Sequence, residues 1–357
     1  MKTAIIGLPM VGKTSLFTIL TGVHQETHIG ATAARVGIAK VPDARLDELA
    51  KLFEPPKITH ATVEYVDMPP ISKENLRDPS YLASLRVVDA FAHVLRLFPD
   101  ETVPHEKGSV DPARDLADVE TELILSDLVV IEKRLERLEK DRKKIKNPEL
   151  DREFELLVRC QALLEENHPL RQLEIGEEDE KRLRGFQFLS LKPILYVLNL
   201  GEEEAGKMHD RERVYRDGPL AGRRHTAVTA VCGKIEAELA ELPRDEQREY
   251  LASYGLEKSG LERLISATYS LLGLMSFLTA GEDECRAWTI PNHTPAVRAA
   301  GAIHSDFEKK FIRAEVVNWQ ALIDHGGYAG VREKGLLKLE GKEYIVKDGD
   351  VLVIRHS

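Results

Sequence analysis

Short apolar runs alternate along the first two thirds of the chain with longer segments whose apolar residues recur at helical spacing. This alternation indicates an α/β domain with a mostly parallel sheet that helices cover on both faces. The runs that predict its strands are residues 2–6, 36–39, 62–66, 90–95, 193–198 and 226–231.

The alternation stops between residues 112 and 185, where the chain is almost entirely charged and aliphatic. Two apolar seams run through this stretch, and Asn147-Pro148 marks a turn between them. The seams consist of Leu128, Ile131, Leu135, Leu138 and Ile145, and of Phe154, Leu157 and Leu164. The pattern predicts an inserted antiparallel helical hairpin. Its charged faces are better explained by solvation than by binding, because exposed coiled-coil positions are normally charged.

A different pattern begins after Leu274 and predicts a separate C-terminal module. Its candidate strands are residues 286–290, 301–304, 344–346 and 351–354, and its candidate helix is residues 306–313. Asp348-Gly349 is a tight-turn signal before the last strand. The helix carries Lys309, Lys310 and Arg313, which form either a solvated face or part of an RNA-contacting face.

The composition is that of an ordinary globular protein. The 357 residues are 43% hydrophobic and 31% charged, with 50 basic and 60 acidic side chains. The negative balance argues against non-specific nucleic-acid binding by the whole surface and leaves room for a local basic patch.

Cys160, Cys232 and Cys285 lack the spacing of a zinc site or a disulfide framework. No apolar run is long enough for a membrane span and no signal-peptide pattern is present, so we expect a cytoplasmic protein without a membrane partner.

The first apolar run leads directly into the sequence GLPMVGKT, residues 7–14, which fits the phosphate-loop pattern G-x-x-x-x-G-K-[ST]. In this pattern the glycines let backbone N–H groups turn towards the phosphates, and the lysine reaches the β and γ oxygens. Residues 14–22 predict the helix whose N-terminus completes the anion site. The residues expected to contact the nucleotide here are Gly7, Pro9, Met10, Val11, Gly12, Lys13, Thr14 and Ser15. Lys13 is the candidate catalytic residue, and Thr14 is a candidate Mg²⁺ ligand.

Other polar residues follow the predicted strands, at the sheet edge where α/β proteins bind nucleotides. Asp67 ends the strand at 62–66 and is the second candidate Mg²⁺ ligand. Asn199 and Glu202 follow the strand at 193–198 and are the candidate base-reading residues. The expected backbone contacts to the same base come from Val231, Cys232 and Gly233.

These motifs, together with others along the whole chain, resemble the Obg-like ATPase (YchF) family of P-loop NTPases. The matching segments are GLPMVGKT (7–14), VPDARL (41–46), TELIL (121–125), EKRLER (132–137), NLGE (199–202), IEAELA (235–240), FLTAG (277–281), RAWTIP (286–291), HSDFEK (304–309), FIRAE (311–315) and YIVKDGD (344–350). The resemblance implies a P-loop G domain at 1–111 and 186–275, an inserted helical coiled-coil domain at 112–185, and a C-terminal TGS domain of β-grasp type at 276–357. It also implies an N-x-x-E base motif that accepts ATP, often better than GTP, and an association with ribosomes or other translation machinery.

The chain departs from this family in its switch regions. The family's D-x-x-G motif reads Asp67-Met-Pro-Pro70, and proline has no N–H with which to sense the γ-phosphate. Residues 71–79 contain no glycine, and Met10 stands where the family usually has asparagine. Residues 30–35 lack the family's landmarks, so Thr32 is a weak candidate for a further metal contact.

Two functions therefore stay open. The first is an ATPase or GTPase that uses Mg²⁺ and hydrolyses its nucleotide slowly. The second is a pseudo-NTPase, a nucleotide-dependent module that docks on a ribosome or RNA through its helical and C-terminal domains. An adaptor that binds no nucleotide is disfavoured by the intact Gly12-Lys13-Thr14.

Overall fold

The computed structural model describes residues 1–23 and 34–357, so Thr32 lies outside the described residues. The chain divides into two compact units. The first comprises residues 1–37 and 64–267, and the second comprises residues 38–63 and 268–357.

The strands of both units are numbered here in chain order. They are β1 (Lys2–Ile6), β2 (Arg35–Lys40), β3 (Ile58–Thr59), β4 (Thr62–Asp67), β5 (Ala90–Arg96), β6 (Ile194–Asn199), β7 (Thr226–Val231), β8 (Leu274–Thr279), β9 (Cys285–Pro291), β10 (Phe311–Asn318), β11 (Lys338–Glu340) and β12 (Asp350–His356).

The helices are numbered in the same way. They are α1 (Lys13–Thr21), α2 (Ala44–Phe53), α3 (Pro79–Arg86), α4 (Pro112–Lys144), α5 (Pro148–Glu165), α6 (Glu177–Arg184), α7 (Met208–Asp217), α8 (Gly233–Glu241), α9 (Arg244–Ser253), α10 (Gly260–Leu271), α11 (Ala296–Ile303), α12 (Ser305–Lys309), α13 (Trp319–Asp324) and α14 (Tyr328–Glu333). Short 3₁₀ helices span Asn75–Arg77, Leu170–Gln172 and Glu202–Lys207.

The first sheet has the strand order β2-β4-β1-β5-β6-β7. The pairs that join β4, β1, β5, β6 and β7 are all parallel. Every residue of β5 and β6 is buried, because helices on both faces of a parallel sheet exclude water from its central strands. The six predicted strands and the α/β class are confirmed, and the predicted strand ends agree to within one residue.

The predicted helical hairpin consists of α4 and α5. The Asp111 side chain accepts a hydrogen bond from the Arg114 N–H at the start of α4, and Asn147 caps α5 in the same way through the Glu149 N–H. Each helix therefore starts on a side-chain cap followed by proline, which suits the first turn.

The two apolar seams of the hairpin meet as predicted in all but one position. Ile131, Leu135 and Leu138 are buried in one cluster with Leu157 and Leu164, and Leu128 and Phe154 pack against it. Ile145 is the exception, since 61% of its surface is exposed. The prediction was wrong there because α4 ends at Lys144 and Ile145 has an extended backbone.

The second sheet has the order β11-β10-β12-β8-β9-β3. The predicted strands at 286–290 and 351–354 are confirmed as β9 and β12, and Gly349 (φ 82°) occupies the predicted turn. Three other predictions were wrong. Residues 301–304 end helix α11, the helix predicted at 306–313 stops at Lys309, and the segment 344–346 makes only an isolated bridge between Ile345 and Pro295.

Packing explains these differences. Ala296, Ala299, Ala300 and Ile303 have the spacing of one helical face, and this face of α11 packs in the core of the second unit. The segment from Phe311 onwards is held as strand β10 between β11 and β12, so long-range pairing outweighs its local helical pattern.

Candidate functional site

The loop between β1 and α1 has the strand–loop–helix context that a phosphate loop requires. Gly7 (φ 145°) and Gly12 (φ 98°) both have backbone angles that favour glycine. At Gly7 a Cβ atom would also lie 2.7 Å from the Val94 carbonyl oxygen, so no side chain fits there. Helix α1 ends at the left-handed Gly22, as predicted.

Lys13 lies inside this loop. Its side chain is buried, and Nζ donates to the Leu8 carbonyl oxygen over 2.5 Å. Burial lowers the pKa of Lys13 to about 8, against the opposing charges of Asp67 and Glu106. An ammonium group that is poorly solvated and forms no ion pair with the described residues is well suited to phosphate oxygens, whose charge would restore its pKa.

Met10 adopts a strained conformation at the tip of the loop. Its φ angle is 59° and its side chain is largely exposed. Left-handed backbone is uncommon for residues other than glycine, and asparagine tolerates it better than methionine does. The neighbouring Pro9 is half-buried and Val11 is fully buried.

The two candidate Mg²⁺ ligands are in contact. Thr14 Oγ1 donates to Asp67 Oδ2 over 3.0 Å, and Asp67 Oδ1 is buried without a hydrogen-bond partner among the described residues. A hydroxyl and a carboxylate are oxygen ligands of the kind that Mg²⁺ prefers, and the orphaned Oδ1 provides a further acceptor. The residues therefore fit Mg²⁺.

A third residue, which the sequence did not single out, occupies the same place. The Arg35 guanidinium donates to Thr14 Oγ1 over 3.1 Å and forms an ion pair with Asp67. Arg35 is the first residue of β2, and only 18% of its side chain is exposed. A lone arginine at the start of a strand carries no sequence signal for such a contact.

The segment that follows Asp67 is tied to the phosphate loop and to α3. The Ile71 N–H donates to the Gly7 carbonyl oxygen over 3.2 Å. The Asn75 side-chain amide donates to the Pro70 carbonyl oxygen over 2.7 Å, and the Tyr81 hydroxyl donates to the Pro69 carbonyl oxygen over 2.9 Å. Both proline carbonyls are thus engaged.

A cavity of about 510 Å³ adjoins the phosphate loop on the side of the predicted base-reading motif. Its lining includes five predicted site residues, Gly12, Ser15, Asn199, Glu202 and Gly233. The other lining residues, among them Phe98, Asp100 and Lys234, were not indicated by the sequence. Phe98 brings an aromatic ring to the lining, and the Arg96 guanidinium lies over that ring with Cζ 4.5 Å from its centre. The position of Phe98 after β5 could have drawn attention to it.

Asn199 holds the edges of this cavity together. Its Nδ2 donates to the Val11 carbonyl oxygen over 3.0 Å, and its Oδ1 accepts from the Gly233 N–H over 3.1 Å. Val231 and Cys232 are fully buried and do not line the cavity. The Val231 carbonyl is occupied by the Leu200 N–H at 2.8 Å, so of the three residues predicted after β7 only Gly233 faces the cavity.

Glu202 has two partners. Lys234 forms an ion pair with Oε2, and the Tyr254 hydroxyl donates to Oε1 over 3.0 Å. The Lys234 contact, followed by that of Tyr254, holds the pKa of Glu202 below its ordinary value. Each carboxylate oxygen is therefore already engaged.

Comparisons with known proteins agree with this architecture. A family model described as "Protein of unknown function (DUF933)", the C-terminal YchF-GTPase family, matches residues 274–357. The "Ribosome-binding ATPase YchF" of Bacillus subtilis is 41% identical, and the match covers 100% of this chain and 99% of the relative. The protein of the same description from Escherichia coli O157:H7 is 39% identical and covers 98% of each chain. The chain belongs to the YchF family.

A solved YchF structure supports the same assignment. The Schizosaccharomyces pombe YchF GTPase superimposes with a TM-score of 0.86 at 27% identity, over 99% of this chain and 97% of that chain. The YchF resemblance and the P-loop fold with its helical hairpin, both expected from the sequence, are therefore confirmed. No helix in residues 1–23 and 34–357 is long and apolar enough to cross a membrane.

Proposed function

We propose that this YchF-family chain binds ATP or GTP with Mg²⁺, hydrolyses it slowly, and acts as a regulator associated with ribosomes or translation in the cytoplasm. The observation that supports this most directly is the juxtaposition of a phosphate loop and a base-sized cavity that share Gly12. The relatives from Bacillus subtilis and Escherichia coli O157:H7 are both described as ribosome-binding ATPases.

The phosphates would bind across residues 7–15, where Lys13 and the backbone N–H groups of the loop would contact them. Lys13 is also the candidate for neutralising the charge that develops on the transferred phosphoryl group. Thr14 and Asp67 would hold Mg²⁺, which neutralises charge on the β and γ oxygens when it is bound. Asn199, Glu202 and Gly233 would select the base.

Slow hydrolysis follows from the segment after Asp67. Pro70 has no N–H to offer to the γ-phosphate, and its carbonyl is held by Asn75. The switch therefore lacks one transition-state contact and is tied down by side chains.

The second candidate function is a pseudo-NTPase, which binds nucleotide without hydrolysing it. The contact of Arg35 with both candidate metal ligands favours it. If Arg35 displaced Mg²⁺, hydrolysis of the nucleotide would be impaired more than its binding. Nucleotide affinity and single-turnover hydrolysis, measured on one preparation, separate the two functions. Turnover of bound ATP supports the enzyme, and tight binding without turnover supports the binding module. Absence of binding contradicts both.

We assign nucleotide binding to residues 1–111 and 186–275, and partner binding to the hairpin domain 112–185 and the TGS-like region 276–357. The hairpin turn carries Arg142, Lys143 and Lys144 in the last turn of α4, followed by Lys146. In the C-terminal region Lys309, Lys310 and Arg313 are exposed. Both sets of cations suit RNA phosphates.

Co-sedimentation with ribosomes tests this assignment. Replacing Lys143, Lys144 and Lys146 by glutamine should reduce the pelleted fraction, and replacing Lys309, Lys310 and Arg313 tests the second surface in the same assay. If neither triple variant changes the pelleted fraction, the partner-binding assignment is wrong.

A further inference from the structure

We infer that Arg35 is a built-in cation of the magnesium site, which competes with Mg²⁺ for Thr14 and Asp67 and partly substitutes for it when the metal is absent. This inference rests on the proposed function, because it concerns the same metal site. It adds a residue that the phosphate-loop pattern does not contain.

Three contacts hold the guanidinium in place. It donates to Thr14 Oγ1 and pairs with Asp67 Oδ2, and its Cζ atom lies 5.6 Å from the centre of the Phe17 ring. The Asp67 side chain is only 5% exposed. An ion pair with this little exposure is far less screened by solvent than one on the surface.

Arg35 and Mg²⁺ cannot use these oxygens at the same time. Mg²⁺ requires oxygen ligands at about 2.0–2.1 Å in nearly octahedral geometry, whereas the guanidinium already occupies Asp67 Oδ2 and Thr14 Oγ1. A Mg²⁺ ion bound to these oxygens would also lie next to the guanidinium, and the two cations would repel each other. Binding of the metal to these oxygens therefore requires Arg35 to leave, and the apparent affinity for Mg²⁺ falls with the fraction of molecules in which Arg35 is bound.

The same geometry has a consequence for metal-free nucleotide. Thr14 is the second residue of α1, directly after Lys13. A guanidinium bound to Thr14 therefore adds a second positive charge beside the phosphate site. Nucleotide binding in this chain should then depend less on Mg²⁺ than it would without Arg35.

The experiment measures the binding of a fluorescent ADP analogue in EDTA and during titration with MgCl₂. The proteins are the full chain, Arg35→Gln, Arg35→Lys and the control Arg213→Gln. Arg213 is an exposed arginine of α7 that pairs with Asp210, so the control also removes an arginine–aspartate pair. Thermal unfolding of each variant reports whether it is folded.

In Arg35→Gln the half-saturating Mg²⁺ concentration should fall by about fivefold or more, and ADP affinity in EDTA should fall by a similar factor. Arg35→Lys keeps the charge but replaces Nη2, which makes both contacts, by a more strongly hydrated ammonium on a different stem, so it should shift the magnesium titration in the same direction by less. Arg213→Gln should behave like the unmodified chain.

The result that overturns the inference is a magnesium titration in Arg35→Gln within about twofold of the unmodified chain, with ADP still bound. If Arg35→Gln does not fold, the same criterion applies to Arg35→Met, which also removes the charge. Failure of the unmodified chain to bind either the ADP analogue or the corresponding GDP analogue, with or without Mg²⁺, would instead overturn the proposed function together with this inference, so the two failures are distinguishable.

Discussion

The side-chain amide of Asn199 donates a hydrogen bond to the main-chain carbonyl oxygen of Val11, which joins the end of β6 to the phosphate loop. The same side chain accepts from the Gly233 N–H at the start of α8. A residue expected only to read the base therefore also holds the base cavity and the phosphate loop together.

Replacing Asn199 by alanine should destabilise the nucleotide-free protein. The substitution leaves a buried carbonyl and an N–H without their partner, and each such loss costs about 1–3 kcal/mol. Denaturant unfolding without nucleotide measures the change. Asn199→Asp is the comparison variant, since it retains the acceptor for Gly233 and replaces the donor to Val11 by a charged carboxylate oxygen, which should destabilise the protein as well. Equal stability of Asn199→Ala and the unmodified chain would contradict the structural role.

Replacing Lys13 by alanine should weaken triphosphate binding by roughly 1.5–3 kcal/mol or more, because a charge-assisted contact to phosphate is lost. Calorimetry measures this directly. Unchanged affinity would remove the assignment of the phosphate loop.

The pH dependence of binding tests Lys13 in a second way. Its pKa is about 8 in the nucleotide-free protein because of burial, and bound phosphates should raise that pKa. Below pH 8 the amine is already protonated, so triphosphate affinity should be flat with respect to this group. Above pH 8 binding must take up a proton, and affinity should fall as the pH rises. Lys13→Ala should lose this decline, and a decline that persists in the variant would assign it to another group.

Much of the first unit follows from sequence pattern alone. Its central strands are buried on both faces and so appear as continuous apolar runs, and the hairpin helices have long seams. The end of the first hairpin helix was harder to predict, because the apolar pattern does not distinguish the exposed Ile145 from the buried Leu138. In the second unit the buried face of α11 consists of three alanines and Ile303. Alanine gives only a weak apolar periodicity, so the helix was hard to predict from the sequence.

The sequence singled out the phosphate loop, Asp67 and Asn199 as candidates because each follows a predicted strand. It did not single out Arg35 or Lys234, because each of them is of interest only through its contact with a side chain from another part of the chain. Arg35 contacts Asp67 across 32 positions of sequence, and Lys234 contacts Glu202 across 32 positions. Such pairs depend on the fold as a whole.

Adenine should be accepted at least as well as guanine. Recognition of guanine by a carboxylate requires both oxygens to accept hydrogen bonds from the base, and each oxygen of Glu202 already shares its lone pairs with Lys234 or Tyr254. A competition titration with ATP and GTP measures the preference. A hundredfold preference for GTP would contradict this prediction.

Freeing the Glu202 carboxylate should shift this preference towards guanine. In the double variant Lys234→Met with Tyr254→Phe, affinity for GTP relative to ATP should rise by about two- to fivefold, the size expected for a solvent-exposed interaction. Adding Glu202→Gln should abolish the gain. A gain that survives this third substitution would show that the carboxylate is not responsible.

Replacing Met10 by asparagine should stabilise the nucleotide-free protein by about 0.5–1 kcal/mol, because asparagine tolerates the left-handed backbone that methionine adopts under strain. Denaturant unfolding is the measurement. Met10→Ala controls for removal of the exposed thioether and should give no gain, since alanine is also strained at φ 59°. Equal stabilities of the asparagine and alanine variants would show that the strain is relieved elsewhere.

The last prediction concerns Pro70, which provides no N–H where the family motif has glycine. Pro70→Gly supplies that N–H, and a hydrogen bond from it to a charged phosphate oxygen contributes about 1.5–3 kcal/mol. The preference for triphosphate over diphosphate should therefore rise by roughly ten- to a hundredfold, at about 1.4 kcal/mol per tenfold. Pro69→Gly is the matched control, because it brings the same gain in backbone freedom one residue earlier. Affinities for ATP and ADP, measured in both variants, show whether the restored N–H or the added flexibility of the segment is responsible. If the glycine at position 69 raises the preference as much as the glycine at position 70, flexibility of the segment and not the restored N–H controls how the switch senses the γ-phosphate.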